Sequence, residues 1–431
     1  MAGTQLHPND YTIGWISALP IELAAAQALL DETHTVPSQG LLDTNIYTFG
    51  KIVGHNVVIA ALPHARIGPS PAAWVAAEMK AAFPNLQFML MVGVGGGAPR
   101  RDADIRLGDV VVGLPNQAHG GVVQYDSGKM TTTGFQRTGF LNSPPSKLLK
   151  AITQLMASRF QGRDLIAEHL LRVNKLEGLR RENAGPDVLF HAAYDHAGGE
   201  TCAECDETKC LTRKPRDKNV VIHYGTIASG NRVIKNARER EQLSEELGGV
   251  ICFEMEAAGL VNDFHCLIIR GICDYADSHK NKSWQGYASA TAAAYAKTLI
   301  SMFPPIGDLN DSVKTLKIST LRTSVGLKVL LGSPRPLIAE HTDRSATRLL
   351  PTQAPGLLCD RNLDSGRNNR IHPSSGFRDF VHCHRPNRTL YRERHHPNAE
   401  LFLFLEHQFP EKCVNCPHIS SPTSFPHVPG L

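Results

Sequence analysis

The feature that most constrains the fold is an alternation of apolar strand-like runs with helix-like runs over the first 305 residues. Residues 11–19 (YTIGWISAL) predict a buried strand, and Pro20 suits the first position of the helix that follows. Similar runs predict strands at 55–62, 88–92, 109–113, 250–255 and 266–273, and helices at 70–83, 148–160 and 284–303. This alternation predicts an α/β domain with helices packed on a largely buried sheet.

The alternating pattern ends near residue 305. Residues 306–431 are rich in Arg, His, Pro and Ser and have no sustained apolar face, so they bury too little apolar surface to offset chain entropy. We expect 1–305 to form the folded domain and 306–431 to be disordered, or the product of a misplaced reading frame. Residues 311–431 hold 16 Lys and Arg against 10 Asp and Glu, so the folded part supplies no basic patch for nucleic acid.

Several protein classes are excluded by simple patterns. No apolar run reaches the roughly 18 residues that a membrane span needs. The N-terminus lacks the basic region and apolar stretch of a secretory signal. We therefore expect an intracellular, cytoplasmic protein that binds neither membrane nor nucleic acid and keeps its ten cysteines reduced.

A cysteine-containing segment, at about 145–220, is predicted to be an insertion between two strands of the sheet. Cys202 and Cys205 form a C-x-x-C pair, with Cys210 and His196 close by in the sequence. Four such ligands are typical of a structural zinc site, but a second C-x-x-C or H-x-H pair is missing. We expect reduced thiols with no metal and no cofactor, with zinc as the alternative. The tail carries a similar set: Cys413, Cys416 and His418.

Acidic residues follow three of the predicted strands. Glu254 and Glu256 are two residues apart and share a face if the strand runs through them, with a helix predicted from Ala257. Asp274 follows the strand at 266–273 directly, and Glu22 opens the first helix. Ligands of open α/β sheets bind at such strand ends, where buried carboxylates are costly unless bound or used. The alternatives are solvated or salt-bridged glutamates, a helix-capping Asp and a first-turn Glu that favours the helix dipole.

A glycine-rich run, VGVGGGAPR, follows the strand at 88–92. Gly93, Gly95 and Ala98 fit the dinucleotide pattern G-x-G-x-x-A, but Pro99 and a charged stretch follow where that pattern requires a helix. We therefore predict a loop whose backbone lies close to a ligand. The alternative is a tight turn that binds nothing.

These segments occur in the order WISALPIELAA, VGVGGG, GDVVV, GTIASGN, FEMEAAG and IRGICDYAD. Over residues 11–304 this order resembles the nucleoside phosphorylase and nucleosidase superfamily, in the version found in fungal multidomain sensors. The resemblance implies a three-layer α/β fold with a central mixed, twisted sheet flanked by helices. It also implies a homo-oligomer, although the small residues of SATAAAYA suit packing against a second copy or against the sheet equally.

The resemblance further implies cleavage of the N-glycosidic bond of a purine nucleoside or nucleotide. Asp274 would protonate the leaving base, Met255 would lie under the sugar, and Glu254 or Glu256 would hold its hydroxyls and stabilise the ribosyl cation. The remaining implied contacts are Ala228, Ser229 and Asn231 at the base, and Gly93 and Gly95 over the ribose and the nucleophile.

The choice between hydrolysis and phosphorolysis depends on the nucleophile. Glu22 stands where nucleosidases of this family carry a glutamate that activates water, and Met91 stands where one phosphorylase branch has an arginine. Both residues favour hydrolysis to free base and ribose or ribose phosphate. Phosphorolysis, with Arg66 and His64 as an anion site, and a nucleoside-sensing module without turnover are the alternatives.

Overall fold

The computed structural model describes residues 6–35 and 43–305. The strands in these ranges are β1 (Ile13–Ser17), β2 (Glu32–Thr33), β3 (Tyr47–Ile52), β4 (His55–Ala61), β5 (Phe88–Gly97), β6 (Val110–Gly113), β7 (Val122–Gln124), β8 (Gly128–Thr131), β9 (Gly134–Arg137), β10 (Ile222–Gly225), β11 (Ile227–Ser229), β12 (Cys252–Glu254) and β13 (Cys266–Asp274). The α-helices are α1 (Pro20–Ala28), α2 (Pro69–Ala82), α3 (Ser146–Phe160), α4 (Leu165–Val173), α5 (Ala237–Glu246) and α6 (Gln285–Ile300). The predicted tail, 306–431, lies outside the described residues. None of the described helices is long and apolar enough to cross a bilayer.

Eleven of these strands form one mixed sheet. Its main order is β10-β6-β13-β5-β1-β4-β3-β2, and β8 and β9 form a separate hairpin. The central strand β5 runs parallel to β1 and β13, while its last residues pair antiparallel with β12, which leads on to β11 and β7. Helices flank this sheet, so the predicted α/β fold with a central mixed sheet is confirmed.

The core lies between the middle of the sheet and helix α6. Strand β13 is buried along its whole length, and α6 is buried at every residue from Tyr287 to Ile300. This helix packs against β13 and β5 on one side and against α1 and α4 on the other. Its alanines permit that close packing, so SATAAAYA lies against the sheet within one chain.

Both ends of the described domain meet the amino ends of the parallel strands. The ring of Phe303 packs on Phe88 at the start of β5, with ring centroids 5.1 Å apart. Its carbonyl oxygen lies 3.3 Å from the Nε2 of His55 at the start of β4. The amide of Thr12, just before β1, donates to the carbonyl of Asn56. The opposite, carboxyl ends of these strands therefore carry neither end of the domain.

Two local predictions are wrong. The glycine run is not a loop: β5 continues through Gly97, because residues 93–96 pair with β13 and residues 96–97 pair with β12. The helix predicted from Ala257 is only a 3-10 turn, Ala257–Gly259. A Cβ at Gly259 would lie 2.0 Å from the carbonyl oxygen of Pro69, so only glycine fits against the start of α2 here.

Candidate active site

A cavity of about 200 Å³ opens at the carboxyl ends of β1, β5 and β13. Four carboxylates from three segments of the chain line it, together with three cationic side chains: Glu22, Glu254, Glu256, Asp274, Arg232, Arg270 and Lys280. The four carboxylate residues and Arg270 are each at most 6% exposed. Met255 and Gly95 also line the cavity. The fold thus collects at one edge of the sheet acidic residues that are up to about 250 positions apart in the sequence.

Glu22 is held by backbone amides. Its Oε2 accepts hydrogen bonds from the amides of Ala18 and Leu19 at 2.6 and 2.9 Å, and its Oε1 accepts one from Val94 at 2.7 Å. Burial raises its pKa, while Arg270 and these three amides act in the opposite direction. A Cβ at Gly93 would lie 2.5 Å from Oε1, so only glycine lets β5 pass this close. Gly93 therefore serves the site through its lack of a side chain.

Arg270 links the carboxylates at the floor of the cavity. Its Nη2 donates to Glu254 and, at 3.2 Å, to Oε2 of Glu256, and its Nη1 donates to the carbonyl of Val94. Burial lowers the pKa of Arg270, but the surrounding carboxylates outweigh that effect and raise it overall. Glu254 also accepts from the amides of Glu256 and Ala257, which orders the turn behind the pair.

The pKa of the Glu256 carboxyl is set by burial and by neighbouring charges of both signs. Burial raises its pKa to about 7; the Arg270 guanidinium opposes the rise, and Glu254 and Glu22 add to it. Its Oε1 accepts from the amide of Gly68 at 3.2 Å. Glu256 is thus a carboxyl that changes its protonation state near neutral pH.

Glu256 should make the stability of the domain depend on pH. Because its pKa is raised from 4.5 in the unfolded chain to about 7 in the fold, its contribution to stability is complete below pH 4.5 and is lost as the pH rises through 7. Urea unfolding at pH 5 and pH 8 should show this loss in the parent and a smaller one in Glu256→Gln. The exposed Glu168→Gln is the control, and equal pH slopes in all three proteins would refute the assignment.

Asp274 ends β13 at a register irregularity that begins after Ile272. Its Oδ1 accepts from the amide of Ala276 at 2.9 Å, and its Oδ2 lies 2.9 Å from the Nζ of Lys280. Burial lowers the pKa of Lys280, but Asp274 and other neighbours outweigh that effect and raise it. The candidate acid therefore has a cationic partner in the ligand-free cavity.

Some predicted contacts do not reach this cavity. Ala228 and Ser229 are buried in β11, and the Ser229 hydroxyl accepts from the amide of Ala258 instead. Asn231 lies against Gly68, and the next three residues, 232–234, form the cavity wall. The exposed residues His64 and Arg66 do not line the cavity either.

The two cationic residues that pair with the carboxylates of the cavity, Arg270 and Lys280, were missed by sequence reasoning. Arg270 lies within the apolar run CLIIRGIC, where a charge can be buried only if it is paired. The sequence already offered partners for this charge, because four acidic residues were predicted at the same edge of the sheet. Lys280 lies in the loop after β13 and carries no comparable signal, since its approach to Asp274 depends on how that loop folds.

The sequence model described as the Phosphorylase superfamily matches residues 12–301. The chain belongs to this superfamily. The match confirms the resemblance that the ordered motifs carried, and it covers every residue that lines the cavity. Residues 12–301 therefore form a phosphorylase-superfamily domain with the carboxylate cavity inside its bounds.

Relatives of this superfamily domain differ in length. A nucleotide-binding leucine-rich repeat (NLR)-like protein of the fungus Hyaloscypha variabilis is 50% identical over 304 residues, covering 70% of this chain and 30% of that protein. This chain thus spans less than a third of that relative. A 5'-methylthioadenosine/S-adenosylhomocysteine nucleosidase of Mycobacterium tuberculosis is 25% identical over 303 residues, covering 68% of this chain and 97% of that protein.

Solved structures of two bacterial enzymes are also similar to the superfamily domain. A 5'-methylthioadenosine/S-adenosylhomocysteine nucleosidase of Neisseria meningitidis in complex with methylthio-immucillin-A is 16% identical, with a TM-score of 0.44. A futalosine hydrolase of Helicobacter pylori is 18% identical, also with a TM-score of 0.44. Each alignment covers 68% of this chain and 99% of the other chain.

Proposed function

We propose that the domain hydrolyses the N-glycosidic bond of a purine nucleoside or nucleotide, giving free base and ribose or ribose phosphate. The observation that carries this proposal is the buried Glu22 carboxylate, fixed by three backbone amides at one side of a cavity with Asp274 also in its wall. The relationship to a mycobacterial nucleosidase supports the same reaction class.

The arrangement suits a reaction with a cationic transition state. Departure of the base leaves positive charge on the ribosyl group, and preorganised carboxylates stabilise such charge in a site that excludes water. We assign this role to Glu254 and Glu256, with Met255 and Gly95 beside the sugar. Asp274 acts as the acid for the leaving base, and Glu22 acts as the base that activates water.

The charge balance of the cavity favours water over phosphate as the nucleophile. Four carboxylates face three cations, and all three cations are already paired: Arg270 with Glu254 and Glu256, Lys280 with Asp274, and Arg232 with Glu239. A phosphate dianion placed next to Glu22 would meet an unneutralised negative charge. Arg66 and His64, the predicted anion site, lie outside the cavity.

Chromatography of the full chain incubated with adenosine, inosine, uridine or ATP, with and without phosphate, tests the proposal. Free purine base released at equal rates in both buffers is the expected result. Release only with phosphate, together with ribose 1-phosphate, would establish phosphorolysis. Binding of a nucleoside by calorimetry without release of any base would establish a sensing module instead.

Glu22→Ala should lower water-dependent release by about 10²-fold or more, because a positioned general base contributes 10²–10⁴. The control is Glu168→Ala, since Glu168 is also a first-turn glutamate but is exposed, on α4. Thermal melts of both variants separate loss of the base from loss of the fold. Unchanged turnover in a folded Glu22→Ala protein would reject the role of Glu22.

A further inference from the structure

The insertion between β9 and β10 contains a cluster of three metal-ligating side chains. A ring nitrogen of His196 and the Sγ atoms of Cys202 and Cys205 all lie within 4.8 Å of one another. Both cysteines are free thiols. The cluster lies outside the carboxylate cavity and takes no part in the proposed cleavage of the nucleoside.

The geometry and the donor set both match zinc. Zn–S and Zn–N bonds are about 2.3 and 2.0 Å, so ligand atoms around one tetrahedral ion lie roughly 3.5–3.8 Å apart. The three atoms need only small side-chain movements to reach that spacing. Two thiolates and an imidazole select zinc over magnesium or calcium, which prefer oxygen ligands.

The surroundings of His196 are those of a metal ligand. Its Nε2 lies 3.0 Å from the carbonyl oxygen of Thr201, and donation to that oxygen would place the ring proton on Nε2 and leave the lone pair on Nδ1 for a metal. Metal-bound histidines commonly donate their other ring N–H to such a carbonyl. The Nδ1 lone pair now accepts the amide of Gly198 at 3.1 Å, and a metal ion would take its place.

This part of the insertion has a small apolar core of its own, and the rings of Phe190 and Tyr194 stack on His279. From Phe190 to Lys218 the chain forms 3-10 turns and one isolated bridge, between Phe190 and Cys210, and Phe190 and Cys205 are the buried apolar residues of this range. A segment with so small a core commonly relies on a metal or a disulfide. Cys210 lies outside this three-atom cluster, so the fourth ligand position is open to water.

We propose that His196, Cys202 and Cys205 bind one zinc ion that fixes the insertion to the loop after Asp274. The Sγ of Cys202 lies 3.9 Å from the carbonyl oxygen of His279, and the amide of His196 donates to the Ser278 hydroxyl at 3.0 Å. Lys280 comes next in the same loop. Zinc at this place therefore orders one wall of the cavity, whatever reaction the cavity performs.

Metal content measured on the full chain tests the proposal. The parent, purified without chelator, should hold one more zinc per chain than the Cys202→Ser/Cys205→Ser double variant and than His196→Asn. The comparison by difference removes any zinc held by Cys413, Cys416 and His418 in the tail. The matched control is His191→Asn, because His191 is exposed in the same insertion and should keep the full zinc content. Equal zinc in the parent and the double variant would overturn the proposal.

A second measurement uses only the parent, in case the variants fail to fold. Peptide mapping after alkylation should show Cys202 and Cys205 protected until a chelator removes the metal, and protected again after zinc alone is added back. Alkylation that is indifferent to chelator, measured with a reductant present so that the freed thiols cannot form a disulfide, would overturn the zinc assignment. Neither experiment depends on nucleoside cleavage, so the two proposals fail independently.

Discussion

Asp274→Asn is expected to reduce base release by roughly 10⁴-fold, at the upper end of the range for a positioned general acid. Asparagine has the same shape and can still accept the amide of Ala276, but it has no carboxyl proton to give to the leaving base. It also removes the charge that pairs with Lys280. The measurement is the rate of purine release under saturating substrate, with the fold checked by circular dichroism and thermal melting.

The matched control for this variant is Asp263→Asn, an exposed aspartate just before β13 that should leave turnover unchanged. Substrate affinity provides a second readout. An acid that acts only in the chemical step lowers kcat with little effect on KM. A folded Asp274→Asn protein with the turnover of the parent would remove Asp274 from the mechanism.

Arg270→Met is expected to lower the free energy of unfolding by about 3–5 kcal/mol, the usual loss when one partner of a buried ion pair is removed. Arg270 is 1% exposed and binds Glu254 and Glu256, with Glu22 also close enough to raise its pKa. Without the guanidinium these carboxylates remain buried and uncompensated. Urea unfolding at neutral pH measures the loss.

The size of this loss should depend on pH. Protonation neutralises the stranded carboxyls, so the destabilisation should be smaller at pH 5 than at pH 8, and Glu254→Gln/Glu256→Gln in the same chain should restore part of it. The control is Arg238→Met, because Arg238 is 59% exposed and its pair with Asp195, 3.7 Å apart, should contribute less than about 1 kcal/mol. A loss for Arg270→Met no larger than this control would show that the carboxylates are not held by the arginine.

The elements that were predicted well are those whose sequence pattern has a local cause. The predicted helix at 70–83 is α2, Pro69–Ala82, because Pro stands at its first positions and alanines follow. The predicted strand at 266–273 is β13, because an eight-residue, mostly apolar run is too short for a buried helix of usual length. The two wrong predictions, at the glycine run and after Glu256, are places where the local sequence pattern did not determine the structure. At the glycine run, contacts with distant segments override local preference, because β12 and β13 pair with residues 93–97 and extend β5.

The acidic residues of the site could be predicted from their positions in the local sequence pattern. Its cationic residues were not predicted. Glu22, Glu254, Glu256 and Asp274 each stand at a predicted strand end or helix start, and sheet topology alone brings such positions to one edge. Lys280 reaches Asp274 through an irregular loop, whose path depends on the insertion that packs against it. The wall formed by residues 232–234, rather than 228–231, depends in the same way on how the chain leaves β11.

The positions of Thr12 and Phe303 make the domain suitable for fusion to other domains. Both lie beside the amino ends of β1, β4 and β5, whereas the cavity opens at the carboxyl ends of the sheet. Polypeptide joined at either position therefore starts on the side of the sheet away from the cavity, and neighbouring termini of this kind tolerate fusion well. This placement is compatible with the Hyaloscypha relative, of which the matched region makes up 30%.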